Sequence, residues 1–153
     1  MKTLTTYFSA SGITAEIAKM VAETTESDLF EILPETPYSD ADLRWTNPLA
    51  RCNREKLGKK DVPVAGRVDG MGNNDLIFLG FPIWYGCAPN VVNTFLKSYD
   101  LSGKKIAVFA TSGGSGIGKT AEKLRPYIGD TEIVDARLLR SAAEAKEWAE
   151  RIR

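Results

Sequence analysis

Short apolar runs alternate along the chain with stretches in which apolar residues recur every third or fourth position. Thr3 to Phe8 reads as a strand that ends at a Ser9-Ala10-Ser11-Gly12 turn. Ile13, Ile17 and Val21 then fall four apart with Ala18 beside them, the spacing of an amphipathic helix. Leu29 to Leu33 predicts a second short strand. Asp75 to Phe81 (DLIFLGF) is almost continuously apolar, as a strand buried on both faces is. Val91, Val92, Phe95 and Leu96 return to helical spacing, and Lys105 to Ala110 (KIAVFA) predicts another buried strand. A glycine-rich loop leads into a helix expected over Lys119 to Tyr127, and Thr131 to Leu139 holds the last strand. Ser141 and Glu144 make a capping box, and Ala145, Trp148, Ala149 and Ile152 form the apolar stripe of a closing helix.

Strands that alternate with helices imply a parallel sheet covered on both faces. The expected architecture is an α/β, three-layer α/β/α sandwich with a five-stranded parallel sheet of order 2-1-3-4-5, in a single domain over residues 1–153. The region at about 34–66 breaks the alternation. It holds Pro34, Pro37, Pro48 and Pro63 and reads as an elaborated crossover with short helices at Asp40 to Trp45 and Pro48 to Leu57. The second of these has proline at its start and Gly58 past its end. Ligands of such sheets bind beyond the carboxyl ends of the strands, where the strand order reverses. The segments that matter are therefore those after Phe8, Phe81 and Ala110.

Composition narrows the chemistry. Lys and Arg number 20 and Asp and Glu 20, so a formal charge of zero gives no electrostatic case for nucleic acid or an anionic membrane. No apolar run is long enough to span a bilayer, and the first residues lack the apolar core of a signal peptide, so a cytoplasmic location is expected. Cys52 and Cys87 are too few for a disulfide framework and read as reduced thiols. The absence of histidine removes Ser-His-Asp and Cys-His catalysis and makes a zinc site improbable. What remains is a cofactor, carboxylates or lysines.

Three loops carry candidate chemistry. Ser9-Ala10-Ser11-Gly12-Ile13-Thr14 has three hydroxyls, a glycine and no charge, at a helix start where backbone N–H groups and the helix dipole favour an anion. The plain alternative is an N-cap with Ser11 as the capping residue. Pro82-Ile83-Trp84-Tyr85-Gly86-Cys87-Ala88-Pro89 sets two adjacent aromatics at the mouth of a buried strand, which suits a flat conjugated ligand or a cover for the core edge. Thr111-Ser112-Gly113-Gly114-Ser115-Gly116-Ile117-Gly118 is small and rich in N–H donors.

Ser-x-Ser-Gly-x-Thr after the first strand, Phe-Pro-Ile-Trp-Tyr-Gly after the third and Thr-Ser-Gly-Gly-Ser-Gly after the fourth together resemble the flavodoxin family. The likeness is closest to bacterial flavodoxin-like FMN-binding proteins with a Pro-Ile-Trp loop. It extends to Pro-Tyr-Ser-x-x-Asp-Leu-x-Trp at Pro37 to Trp45. The resemblance implies one non-covalent FMN, with the phosphate on Ser9, Ala10, Ser11, Gly12, Ile13 and Thr14. It implies a ring between Pro82, Ile83 and Trp84 on one side and Thr111, Ser112, Gly113, Gly114 and Gly116 on the other. Tyr85 and Gly86 become candidates for the flavin edge, with a peptide at Gly86 or its neighbour turning its carbonyl to the ring on reduction. A potential below that of free FMN is expected.

The chain departs from the acidic character of electron-shuttling flavodoxins, which raises an FMN-dependent NAD(P)H- or quinone-type reductase beside an electron carrier served by a redox partner protein. Nothing in the sequence fixes the oligomeric state. Trp45 suits either a ring contact or an anchor for the crossover, and Cys87 either a buried thiol or a redox-active one. Arg51, Arg54, Lys56, Lys59 and Lys60 read as a solvated helix face, with nucleotide phosphates as the other use. A rival reading comes from Gly113 to Thr120, which matches the P-loop pattern G-x-x-x-x-G-K-[ST], with Asp135 as the only downstream metal-binding acid in reach. A further rival is a binding domain that kept the fold and lost its cofactor.

Overall fold

The computed structural model describes residues 2–10, 12–36, 38–39, 41–43, 46, 50–51, 62–84, 87–112 and 116–153. In chain order the elements are β1 (Thr3–Tyr7), α1 (Ile13–Thr25), β2 (Asp28–Glu31), the two-residue strands β3 (Leu33–Pro34) and β4 (Val64–Ala65), β5 (Leu76–Pro82), α2 (Asn90–Lys97), β6 (Lys105–Thr111), α3 (Arg125–Ile128), β7 (Glu132–Leu138) and α4 (Ala142–Ile152). The five-stranded sheet has the order β2-β1-β5-β6-β7, all parallel, which is the expected 2-1-3-4-5.

The centre of the sheet explains its own sequence. Ile77, Phe78, Leu79 and Phe81 of β5 and Ile106, Val108 and Phe109 of β6 are buried from both sides. The threonines of β1 are buried too, but their hydroxyls are satisfied. Thr5 Oγ1 pairs with Ser27 Oγ at 2.6 Å, and Thr6 Oγ1 donates to the Phe30 carbonyl at 2.9 Å. Gly80 breaks the apolar run because the Phe109 ring lies over it. A Cβ at Gly80 would stand 2.1 Å from that ring.

Each face has its own core. On one side Ile17, Ala18 and Val21 of α1 meet Ala145, Trp148 and Ala149 of α4 over Phe78 and Phe109. On the other, Val91, Val92, Phe95 and Leu96 of α2 pack with Leu124 and Ile128 over Ile77, Leu79 and Phe81. A register shift between β6 and β7 at Ile106/Ala107 brings Asp135 opposite Ala107, and its carboxylate accepts from Trp148 Nε1–H at 2.8 Å. The capping box of α4 is present in a shifted form. Ser141 Oγ accepts from Glu144 N–H at 3.1 Å, while the Glu144 carboxylate accepts from Arg140 N–H at 2.7 Å.

Three expectations differ. The second strand stops at Glu31, and Leu33–Pro34 turns away to pair antiparallel with Val64–Ala65. The helix expected over Lys119 to Tyr127 shrinks to a 3₁₀ turn at Glu122–Leu124 and the four-residue α3, because Pro126 has no N–H to donate and is tolerated only in a first turn. The helix expected at Asp40 to Trp45 is a 3₁₀ turn over Ala41–Leu43, and the one at Pro48 to Leu57 lies mostly outside the described residues.

Candidate functional site

The carboxyl ends of β1, β5 and β6 lie side by side at the centre of the sheet, and the three loops leave from them. The first begins at Phe8, buried behind the loop. Gly12 takes the N-cap position of α1 at φ 91°, a left-handed backbone that a side chain would strain, and the place of its Cβ is open. No side chain caps from Gly12. Instead Ser9 Oγ accepts from Gly12 N–H at 3.0 Å and Ala15 N–H at 3.2 Å. Ser9 thus does the work expected of Ser11, which lies outside the described residues. The loop residues 9–14 carry no charge and offer hydroxyls and backbone N–H groups, while Glu16 is the acid in the first turn of α1. Ile13 is 62% exposed at the rim and is not part of the core stripe of α1, and Thr14 is buried in its place.

The second loop folds back at once. Trp84 N–H donates to the Cys87 carbonyl at 2.9 Å and Cys87 N–H to the Trp84 carbonyl at 3.1 Å, an antiparallel bridge between the two residues. The Cys87 thiol is buried and points its sulfur at the Trp84 carbonyl at 3.4 Å, the placement of a packed thiol. Trp84 is half-buried. Phe8 meets it edge-to-face at 5.7 Å and Tyr38 at 5.4 Å, and Phe8 and Tyr38 meet each other at 5.9 Å. The Arg51 guanidinium lies 4.1 Å from the Tyr38 ring centre, donates to the Thr36 carbonyl at 2.7 Å and approaches Asp42 at 3.9 Å. Arg51 therefore faces inward, and is not part of a solvated helix face. Ser39 and Asp42 hold Tyr38 in place by a reciprocal cap, Asp42 Oδ2 accepting from Ser39 N–H at 3.0 Å and Ser39 Oγ from Asp42 N–H at 3.2 Å.

Thr111 ties the loops together. Its carbonyl accepts Ile83 N–H at 2.9 Å, and its Oγ1 lies 2.8 Å from Thr14 Oγ1. Beyond it Ser112 is half-buried and Gly116 exposed. The P-loop reading of Gly113 to Thr120 meets no support. Thr120 is buried with its hydroxyl donated to the Ile117 carbonyl of its own turn, no α-helix starts at Lys119, and Asp135 serves Trp148. At the opposite end of the sheet a cleft of about 430 Å³ opens between Tyr99, Ser102, Tyr127 and Asp130, away from the three loops.

The sequence model of one family, flavodoxin, matches residues 2–152. The chain belongs to the flavodoxin family. A candidate flavoprotein of Bacteroides eggerthii is 37% identical over 99% of this chain and 97% of its own, with a TM-score of 0.91. One from Bacteroides uniformis is also 37% identical over 96% of each chain, with a TM-score of 0.90. A flavoprotein of Lactobacillus acidophilus, solved in complex with FMN, shares the fold at 24% identity and a TM-score of 0.77, over 97% of this chain and 98% of its own. No curated protein matches the chain.

In this flavodoxin the structure brings together Ser9, Ala10, Gly12, Ile13, Thr14, Pro82, Ile83, Trp84, Thr111 and Ser112 at one end of the sheet. Ser11, Tyr85, Gly86, Gly113, Gly114, Trp45 and Cys52 lie outside the described residues. The structure adds Phe8 and Tyr38 as edge-to-face neighbours of Trp84, and Arg51 as a partner of Tyr38. In the sequence, the likeness over Pro37 to Trp45 points to Tyr38, and no local pattern points to Phe8 or Arg51. Among the described residues no helix is long and apolar enough to cross a membrane.

Proposed function

We propose that this flavodoxin binds one FMN non-covalently in the three-loop site and passes electrons through it. One observation carries the reading: an uncharged loop of hydroxyls and N–H groups at the start of α1 stands beside the aromatic wall of Trp84, with Thr111 joining the two. The donor set suits a phosphate monoester. Ser9 uses its lone pairs on Gly12 and Ala15, which leaves its proton to give. The helix dipole adds about half a positive charge at the same place. Open space at Gly12 lets an anion approach the backbone. Ser9, Gly12 and Thr14 would hold the phosphate, and Ile83, Trp84 and Ser112 would border the ring.

FMN supplies the one- and two-electron chemistry when bound, and the protein supplies position and electrostatics. Trp84 offers a flat apolar surface that Phe8 and Tyr38 keep from rotating. The Cys87 thiol is buried against the Trp84 carbonyl, the setting of a packed side chain.

A second reading, an NAD(P)H- or quinone-type reductase, is favoured by the zero formal charge, which gives no long-range steering toward a charged protein partner. We also propose a cytoplasmic setting, which suits a reduced thiol at Cys87. The test is an absorption spectrum of the purified protein, followed by titration of the apoprotein with FMN and with Mg-ATP. One-to-one quenching of FMN fluorescence with no response to ATP is expected. A colourless protein indifferent to FMN would overturn the reading. NAD(P)H oxidation by the loaded protein, with and without a quinone, then separates reductase from carrier.

A further inference from the structure

Thr111 is 6% exposed and Thr14 is 2% exposed, and their hydroxyls lie 2.8 Å apart. Among the described residues each is the other's hydroxyl partner, and either can donate. The direction of that bond decides what Thr14 can do. A threonine hydroxyl has one proton to give and lone pairs with which to accept. If Thr14 gives its proton to Thr111, it turns lone pairs toward the helix start, and an anion there is repelled. If Thr111 gives its proton to Thr14, the Thr14 proton remains for the anion. Ser9 shows the same arrangement, its oxygen already accepting from Gly12 and Ala15 N–H.

We propose that Thr111 is a positioning residue for the phosphate: by donating to Thr14 Oγ1 it sets the Thr14 hydroxyl as a donor toward a phosphate monoester at the start of α1. The inference rests on the FMN reading of the site. It moves Thr111 from a ring contact to a residue that acts through Thr14. It also explains why a strand end otherwise filled with apolar side chains keeps a hydroxyl. The bond is strengthened when the anion is present, because each donor in a chain polarises the next. The Thr111 carbonyl holds Ile83 at the same time, so the phosphate loop and the Trp84 loop are positioned from one residue.

The test is a fluorescence titration of the apoprotein with FMN and with riboflavin, which lacks the phosphate. Thr111→Val keeps the shape and the backbone bond to Ile83 and removes the hydroxyl. It is expected to weaken FMN binding roughly tenfold and leave riboflavin binding unchanged, while Thr111→Ser stays within about twofold of the parent. Thr14→Val with Thr111→Val is expected to bind FMN no more weakly than Thr14→Val alone. Equal losses for FMN and riboflavin, an unchanged FMN affinity in Thr111→Val, or an undiminished effect in the Thr14→Val background would each overturn the proposal. Thr111→Ala carries the same comparison if Thr111→Val does not fold. A parent protein that binds no FMN overturns the functional reading and this inference with it, whereas a parent that binds FMN beside an indifferent Thr111→Val overturns the inference alone.

Discussion

Tyr7 closes β1 next to Glu31, its register partner on β2, and its side chain is buried among α1 and α4. Burial pushes the phenol up from its ordinary value of 10.0, and the Glu31 carboxylate raises it further as a negative charge and hydrogen-bond acceptor. The folded state thus holds this proton more tightly than the unfolded chain. Its contribution is complete below the unfolded value near 10.0 and is lost as pH rises through the higher folded one. Urea midpoints measured from pH 8 upward are expected to fall in the alkaline range, and Tyr7→Phe to flatten that fall. Gly80 gives a second test at this scale. The Phe109 ring that a Cβ would strike is fully buried and has nowhere to go. Gly80→Ala is expected to cost about 1–3 kcal/mol in denaturant unfolding, the range for an overpacked core, and Phe109→Leu in the same chain to recover part of it.

The elements that could be read from the sequence are those whose apolar pattern matched one period and whose burial was complete. β5 and β6 lie at the centre of a parallel sheet, so their continuous apolar runs admit little else. β2 is an edge strand with exposed positions, and its end depends on where the chain meets other segments. Ile32 N–H donates to the Tyr7 carbonyl at 2.6 Å, and Leu33–Pro34 then pairs with a segment some thirty positions on. No local pattern encodes that. The three loops were legible because their residue types are unusual at strand ends. Tyr38 and Arg51 were not, because a proline-broken crossover has no period and their contacts with the site form only in the folded chain. Their importance can be measured. Tyr38→Ala removes two edge-to-face contacts and the platform under Arg51. A loss of roughly 1–3 kcal/mol in urea unfolding is expected, with a shift in Trp84 emission and faster FMN release. Tyr38→Phe is expected to keep most of all three, since the ring and not the hydroxyl makes these contacts.

At the scale of the whole molecule the zero formal charge and the uncharged site have one joint consequence. The described residues of the three loops from Ser9 to Ser112 include no acid or base, and Arg51, the nearby cation, is engaged by Tyr38, the Thr36 carbonyl and Asp42. A bound FMN brings its phosphate charge into this neutral surrounding, and adding electrons to the ring adds negative charge beside an apolar wall. Neither charge is offset by a protein cation among these loop residues, and a desolvated anion is disfavoured. The reduction potential is therefore expected to lie below that of free FMN, with the shift retained at high salt because the charges concerned are within the site and poorly screened. Dye-coupled potentiometry of the loaded protein measures it. The polypeptide's formal charge is zero, so the loaded protein carries little beyond the FMN phosphate charge, and reduction by small anionic reductants is expected to speed up only modestly as ionic strength rises. A raised potential would show that a positive group reaches the ring from outside the loop residues named above, and Arg51→Met would then be the first variant to measure.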